Sequence, residues 1–498
     1  MVSLGALVGI AGCSSSGGGS TAPPPNATPS ATESATPASL ASYYHQKLSW
    51  QSCHDVFQCS TLRVPLDYRK PNGKSLSIAV IRMPSSGSRQ GSLIINPGGP
   101  GASGVNFEVQ SAPSFSQLTD HYDLVSFDPR GVGASNPIRC VSSSQLDRFI
   151  NTNPVPTTPA EHARVVAQAK TMADACYQRN GSYLEHVSTL DEARDMDVLR
   201  AALGDSKLTY YGASYGTYIG AKYAQLFPTH IRAMVLDGAL NPNEPLSQEN
   251  LVQAKGFQTD LDDFLAACVK SGACPLGSTN ATAHAGLEAL RRQVTAHPET
   301  SATGEVLGAG EFFEGLAAGL YTSSDWKQLW EVLGAAKQGN PAGLLLFANA
   351  LTERHTDGSY SNLIESNLAI NCIDRPAPRK VSTYDADARV FAKQAPDFGA
   401  AIEYGSLPCA FWHVPPVEKV HPVHAPTAPP ILVIGTTRDP ATPYVWAKAL
   451  AKQLGSGVLL TFNGDGHTAY LRHDACVDSA VHNYVEDLKP PNAGTTCG

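Results

Sequence analysis

Gly212-Ala213-Ser214-Tyr215-Gly216 constrains this chain more than any other stretch. It follows the β-rich run Leu208-Thr209-Tyr210-Tyr211 and opens a helical segment that continues through Ala221, Tyr223 and Ala224. A glycine two residues to either side of the serine permits a strand-to-helix turn too tight for side chains. Such a turn holds the serine oxygen outward as a candidate nucleophile. The five-residue pattern also arises by chance in loops, so its surroundings have to confirm it.

The surroundings read as a large α/β domain. At 498 residues, 42% of them hydrophobic, the chain can bury a sizeable core, in one large domain carrying an insertion or in two domains. Alternating runs at 61–65 and 76–81, separated by Lys70-Pro71-Asn72-Gly73, predict an antiparallel hairpin. Further strands are expected at 92–96, 122–127, 208–211, 231–236, 431–435 and 457–462, with helices at 189–203, 444–454 and 475–485. In the first of these helices Leu190, Ala193, Met196, Leu199 and Ala202 recur at helical spacing, and Asp191 and Glu192 sit in the first turn, where the helix dipole favours them. Strand and helix in alternation predict an α/β fold with a mostly parallel sheet covered by helices on both faces. From 241 to 429 the pattern becomes mainly helical and reads as an inserted cap, dividing the core into 43–240 and 430–498.

The N-terminal segment points to export. Residues 1–12 form a short apolar run ending in small residues before Cys13, the pattern of a lipoprotein signal peptide with Cys13 as the lipidated residue. The Ser/Gly/Thr/Pro-rich tract that follows has too little apolar surface to fold, so 13–42 is expected to be a disordered tether. These features predict attachment to the membrane through a lipid anchor on the extracellular face, or secretion. Without Cys13, ten of the 11 cysteines remain, an even number suited to disulfides in an oxidising compartment. Pairing of neighbours would join 53 with 59, 140 with 176, 268 with 274, 372 with 409 and 476 with 497, a connectivity the sequence leaves open. A net charge of -8 without a Lys/Arg-rich stripe argues against nucleic acid as a partner. His413, His421 and His424 lie in a proline-rich loop without helical register, and no Cys-x-x-Cys occurs, so neither a metal nor a cofactor is expected.

Two further stretches complete the serine. Arg438-Asp439-Pro440 places an acid just beyond one predicted strand, and Asp465-Gly466-His467 places a histidine just beyond the next. Loops past the carboxyl ends of parallel strands converge on one crevice. The order Ser214, Asp439, His467 is that of α/β-hydrolases. A serine hydroxyl needs an imidazole to take its proton during attack, and the acid holds that ring in the working tautomer. Asp465 competes as the acid, but its adjacency to His467 makes it the poorer orienter. The bare backbone of Pro97-Gly98-Gly99-Pro100-Gly101 and the residue after the nucleophile suggest the Gly99 and Tyr215 amides as oxyanion donors. Asp128 and Arg130 are expected to hold the loop after their strand by an ion pair and turn geometry.

Asn96-Pro97-Gly98-Gly99-Pro100-Gly101-Ala102-Ser103-Gly104, the stretch 128–135, Ala193-Arg194-Asp195-Met196-Asp197 and the serine motif together resemble the secreted actinobacterial tripeptidyl aminopeptidases. That group belongs to the proline iminopeptidase clan of α/β-hydrolases, and the resemblance spans nearly all of 50–497. It implies a serine exopeptidase acting on peptides, with Ser214, Asp439 and His467 as its triad and Gly99 at the oxyanion hole. Pro97 stands where proline iminopeptidases commonly carry histidine, which fits the tripeptidyl branch. A carboxylesterase or lipase on the same triad is the alternative. An aminopeptidase needs a partly desolvated carboxylate to bind the free α-amine. Ala369-Ile370-Asn371-Cys372-Ile373-Asp374 resembles a segment recurring in the group, which makes Asp374 the candidate, with Glu365 behind it.

Overall fold

The computed structural model describes residues 38–498; the expected signal peptide, the lipidation site Cys13 and most of the tether lie outside the described residues. The first described elements are short helical turns at Ala38–Leu40 and Ala41–Tyr44. Two tyrosines fix these turns: Tyr43 donates to the Pro71 carbonyl (3.0 Å) and Tyr44 to Asp197 (2.8 Å).

The strands are β1 (Gln51–Cys53), β2 (Phe57–Pro65), β3 (Ser75–Met83), β4 (Gly91–Asn96), β5 (Tyr122–Phe127), β6 (Leu208–Ala213), β7 (Ile231–Asp237), β8 (Glu299–Thr300), β9 (Val306–Leu307), β10 (Ile431–Arg438), β11 (Gly457–Asp465) and β12 (Thr496–Cys497). Ten form one sheet in the order β1-β2-β3-β5-β4-β6-β7-β10-β11-β12, and β8 with β9 makes a separate hairpin. From β5 to β12 all neighbours are parallel. β2 and β3 form the predicted hairpin, and β3 joins β5 antiparallel. Side-chain alternation explains why the central strands read as continuous apolar runs: Leu93 and Ile95 of β4 enter one core and Ile94 the other. In β10, Leu432 and Ile434 likewise oppose Ile431 and Val433. Both faces are covered by helices, so both positions favour apolar side chains.

Between β7 and β10 the chain is mainly helical, from Leu246–Lys270 through Ala309–Leu320 and Leu363–Asp374 to Gly399–Gly405. These helices build an apolar core of their own around Phe257, Phe264, Leu316 and Leu333. Two helices that the sequence reading missed, Ser143–Ile150 and Pro159–Asn180, precede the serine motif. Each opens with a capping box, Ser142 with Gln145 and Thr158 with Glu161, a signal that was readable in the sequence. Five disulfides join Cys53–Cys59, Cys140–Cys176, Cys268–Cys274, Cys372–Cys409 and Cys476–Cys497, the neighbour pairing. Among the described residues no helix is long and apolar enough to cross a membrane.

Candidate active site

Ser214 caps the helix Tyr215–Leu226 directly after β6, with φ 54° and ψ -122°. A positive φ at serine costs roughly 1–3 kcal/mol and persists only where its surroundings impose it. Here the Ser214 amide donates to the Asp237 carbonyl (2.9 Å), and Thr217 donates to the Ser214 carbonyl through both its amide (2.9 Å) and its hydroxyl (2.6 Å). The flanking glycines are dictated by space: a Cβ on Gly212 would lie 2.5 Å from the Gly216 carbonyl oxygen, and one on Gly216 2.8 Å from that of Asn96.

β6, β7, β10 and β11 are neighbours in the sheet, which brings the loops after them to one corner. His467 Nδ1 lies 3.0 and 3.1 Å from the two oxygens of Asp439. Asp439 is buried and further bound by the amides of Ala441 (3.0 Å), Thr442 (2.7 Å) and Thr468 (3.1 Å) and by the Thr442 hydroxyl (2.9 Å). The carboxylate assigns the His467 proton to Nδ1 and leaves Nε2 as an acceptor. Burial alone would lower the pKa of His467, but the charge and hydrogen bond of Asp439 outweigh it and hold the ring above its ordinary value. Thr442 Oγ1 also lies 3.1 Å from His467 Nδ1, bridging acid and ring. Asp465 engages Arg438 instead, with Arg438 Nη2 at 3.0 Å. The ring of His467 sits against Gly238, the residue after Asp237, so serine and histidine flank the same corner. The structure contains no direct hydrogen bond between Ser214 Oγ and His467, a contact that in free enzymes is often long and tightens with substrate.

Asp237 is a supporting residue that the sequence reading missed. Burial pushes its carboxyl up to about 6, against donation by the Tyr470 (2.9 Å) and Ala469 (3.0 Å) amides and the Tyr211 hydroxyl (3.2 Å). It thereby pins the chain that follows His467. Tyr321, from the helical insertion, holds the other side: its carbonyl accepts from the His467 amide (2.7 Å) and its ring meets the imidazole edge-on at 5.3 Å.

Ser214, Gly99 and Tyr215 line a cavity of about 480 Å³, with Phe149, Leu240 and Phe313 among its apolar walls. The amides of Gly99 and Tyr215 donate to no other group among the described residues. Asp374 and Glu365, expected to face substrate, do not line this cavity. Both are satisfied internally, which is the physical reason. Asp374 accepts from Thr189 N (3.0 Å), Thr189 Oγ1 (2.6 Å) and Tyr215 OH (2.5 Å). Glu365 accepts from the amides of Cys140 and Val141 (2.9 Å). The carboxylates that do line it are Glu249, ion-paired with buried Arg375 (2.8 Å), and Glu314. Among the described residues Glu314 has no hydrogen bond or ion pair, and burial pushes its carboxyl up to about 7. Gly310, Phe313 and Glu314 share one face of the helix Ala309–Leu320, and that face is turned to the cavity. Asp128 and Arg130 do hold their loop, though not as a pair: Asp128 accepts from Ser103 (2.6 Å) and Ala134 (2.8 Å), and Arg130 pairs with buried Asp195 (2.6 Å).

Residues 395–497 match the family model described as TAP-like protein. Over 455 residues the chain is 38% identical to the serine protease Hip1 of Mycobacterium tuberculosis, covering 88% of this chain and 87% of that protein. The chain belongs to the TAP-like family of α/β-hydrolases. Within it, carboxylesterase B of the same organism is 37% identical over 466 residues, covering 90% of this chain and 89% of that one. Tripeptidyl aminopeptidase of Streptomyces lividans is 34% identical over 472 residues, covering 90% and 86%. The protein is a serine hydrolase of the TAP-like family, whose members here divide between peptidases and a carboxylesterase.

Proposed function

We propose that this chain is a serine aminopeptidase that removes short peptides from the N-termini of extracellular polypeptides. Ser214 Oγ attacks the scissile carbonyl while His467 Nε2 takes its proton, Asp439 stabilising the imidazolium that forms. The Gly99 and Tyr215 amides bind the oxyanion, and His467 returns the proton to the leaving amine. Water then attacks the acyl-enzyme by the same route and releases the peptide.

The observation that carries peptidase over esterase is Glu314. An unpaired carboxylate held away from water at a cavity wall is costly unless a cation occupies the site with it, and the α-ammonium of a peptide is such a cation. The helical residues 241–429, joined by the two helices between 143 and 180, act in this reading as the cap that closes the amine end of the cavity. The five disulfides support an oxidising compartment and, with Cys13, a lipoprotein on the outer face of the membrane. Cys13→Ser is expected to move the protein from the membrane fraction to the medium.

The rival is a carboxylesterase on the same three residues, favoured by the apolar walls and by the likeness to carboxylesterase B. Rates on free-amine tripeptide anilides, the same peptides N-acetylated, and short acyl esters separate the two. The aminopeptidase predicts a strong preference for the free amine. Equal turnover of acetylated peptides, or activity on esters alone, favours the rival, and hydrolysis surviving Ser214→Ala refutes both.

A further inference from the structure

The two amides assigned to the oxyanion come from separate stretches of the chain, a loop after β4 and the start of the helix after β6. Gly99 belongs to a glycine-rich loop and has φ 108°. Tyr215 follows a serine held at a positive φ. Transition-state stabilisation requires that both be fixed before substrate arrives, because a donor displaced by about 1 Å forfeits much of its effect.

One helix of the insertion reaches both. Asn367 and Asp374 stand seven residues apart on Leu363–Asp374, two turns along the same face. At one end Asn367 Nδ2 donates to the Pro100 carbonyl (3.1 Å), next to Gly99, and Asn371 Nδ2 donates to Asn367 Oδ1 (3.0 Å) and orients it. The loop lies so close that a Cβ on Gly101 would come within 2.9 Å of the Asn367 amide. The start of the loop is tied separately, Gly98 N donating to Asn96 Oδ1 (2.8 Å). At the other end Asp374 accepts from the Tyr215 hydroxyl (2.5 Å) and from Thr189, whose hydroxyl also lies 3.1 Å from that of Tyr215. All three residues of this clamp are buried.

We propose that the helix Leu363–Asp374 sets both halves of the oxyanion hole, with Asn367 positioning the Gly99 amide and Asp374 positioning the Tyr215 amide. The proposal rests on those two amides being the donors. Asp374 lies outside the cavity, and Asn367, which lines it, commits its Nδ2 to the Pro100 carbonyl, so both are argued as positioning residues, and the cap that encloses the substrate also holds the catalytic geometry.

The test uses short acyl esters, whose hydrolysis needs the oxyanion hole but no amine site. Complete removal of an oxyanion donor costs about 10²–10³ in kcat, and a loosened donor keeps part of its effect. Asp374→Asn and Tyr215→Phe are therefore each expected to lower kcat about tenfold, with KM changing by less than about twofold. The double variant should lose no more than either single one, because both break one clamp, whereas Asn367→Ala should multiply with Asp374→Asn. Affinity for a boronic acid transition-state analogue should fall by the same factor as kcat. Unchanged kcat in variants with wild-type unfolding midpoints overturns the proposal, as does a loss confined to KM for free-amine peptides, which would make Asp374 an amine ligand. If Asp374→Asn does not fold, Tyr215→Phe and Asn367→Ala decide. Ser214→Ala run in parallel keeps the two failures apart: its full activity would sink the acyl-transfer reading itself.

Discussion

Replacing Glu314 by glutamine removes the charge from the cavity and keeps the shape. In the free protein burial holds this carboxyl at about 7 against an ordinary 4.5, so ionising it without a partner costs about 3 kcal/mol. An α-ammonium in contact offsets that cost, and a hydrogen bond to a charged group contributes about 1.5–3 kcal/mol net. Glu314→Gln should thus lower kcat/KM for a free-amine tripeptide anilide by about 10- to 150-fold. The N-acetylated peptide and short esters should be unaffected. The pH dependence carries a sign. The carboxylate forms as pH rises through about 7, and a peptide α-amine loses its proton near 8. KM for free-amine substrates should be lowest between those values, and Glu314→Gln should erase the acidic limb. Stability moves the other way. The unfolded chain releases this proton near 4.5 and the native state only near 7, so native stability falls across that window. Glu314→Gln should therefore raise stability at pH 8 by up to about 3 kcal/mol, read from urea midpoints. An equal loss on acetylated and free-amine peptides, or no loss on either, refutes the assignment.

Three other outcomes follow from the site. On esters, kcat/KM should rise with pH through a midpoint above 6.5, because the charge of Asp439 overrides the burial of His467. Asp439→Asn should shift that midpoint downward as well as slow the reaction, and an unmoved midpoint would contradict the pairing. Thr442→Val removes the hydroxyl that donates to Asp439 and touches His467 Nδ1; a loss of about 1–1.5 kcal/mol, five- to tenfold in kcat, is expected with little change in KM. The Cys140–Cys176 bridge spans 36 residues and ties down the helix Pro159–Asn180. Its removal by paired Cys→Ser substitution should lower stability by about 3–4 kcal/mol in a denaturant titration.

Local chemistry made most of the hydrolase core legible. The strands β4, β7 and β10 carry apolar stretches (93–95, 233–236 and 431–434) because both faces of the sheet are covered, and the glycines around Ser214 are required by a turn that admits no side chain. The helix at Tyr444–Leu454 also ends where the sequence puts it. The helices Ser143–Ile150 and Pro159–Asn180 stand outside the strand-to-helix alternation, and their capping boxes were the one local signal for them. The sequence reading paired Arg130 with its own loop, yet its partner is Asp195, 65 positions away.

The carboxylates mark the limit most clearly. Asp374, Glu365, Glu249 and Glu314 are equivalent in composition and all lie in helical segments. Sequence by itself determined the sheet, the order Ser214, Asp439, His467 and the chemistry those residue types allow, because periodicity, tight turns and nucleophile activation are local or topological properties. Only the tertiary structure decided which acid meets a cavity and which meets Thr189, Tyr215 or the Cys140 amide. That depends on the packing of helices far apart in the chain. A carboxylate surrounded by donors is satisfied within the protein, whereas Glu314 faces the cavity without one, and the proposed amine site rests on that difference.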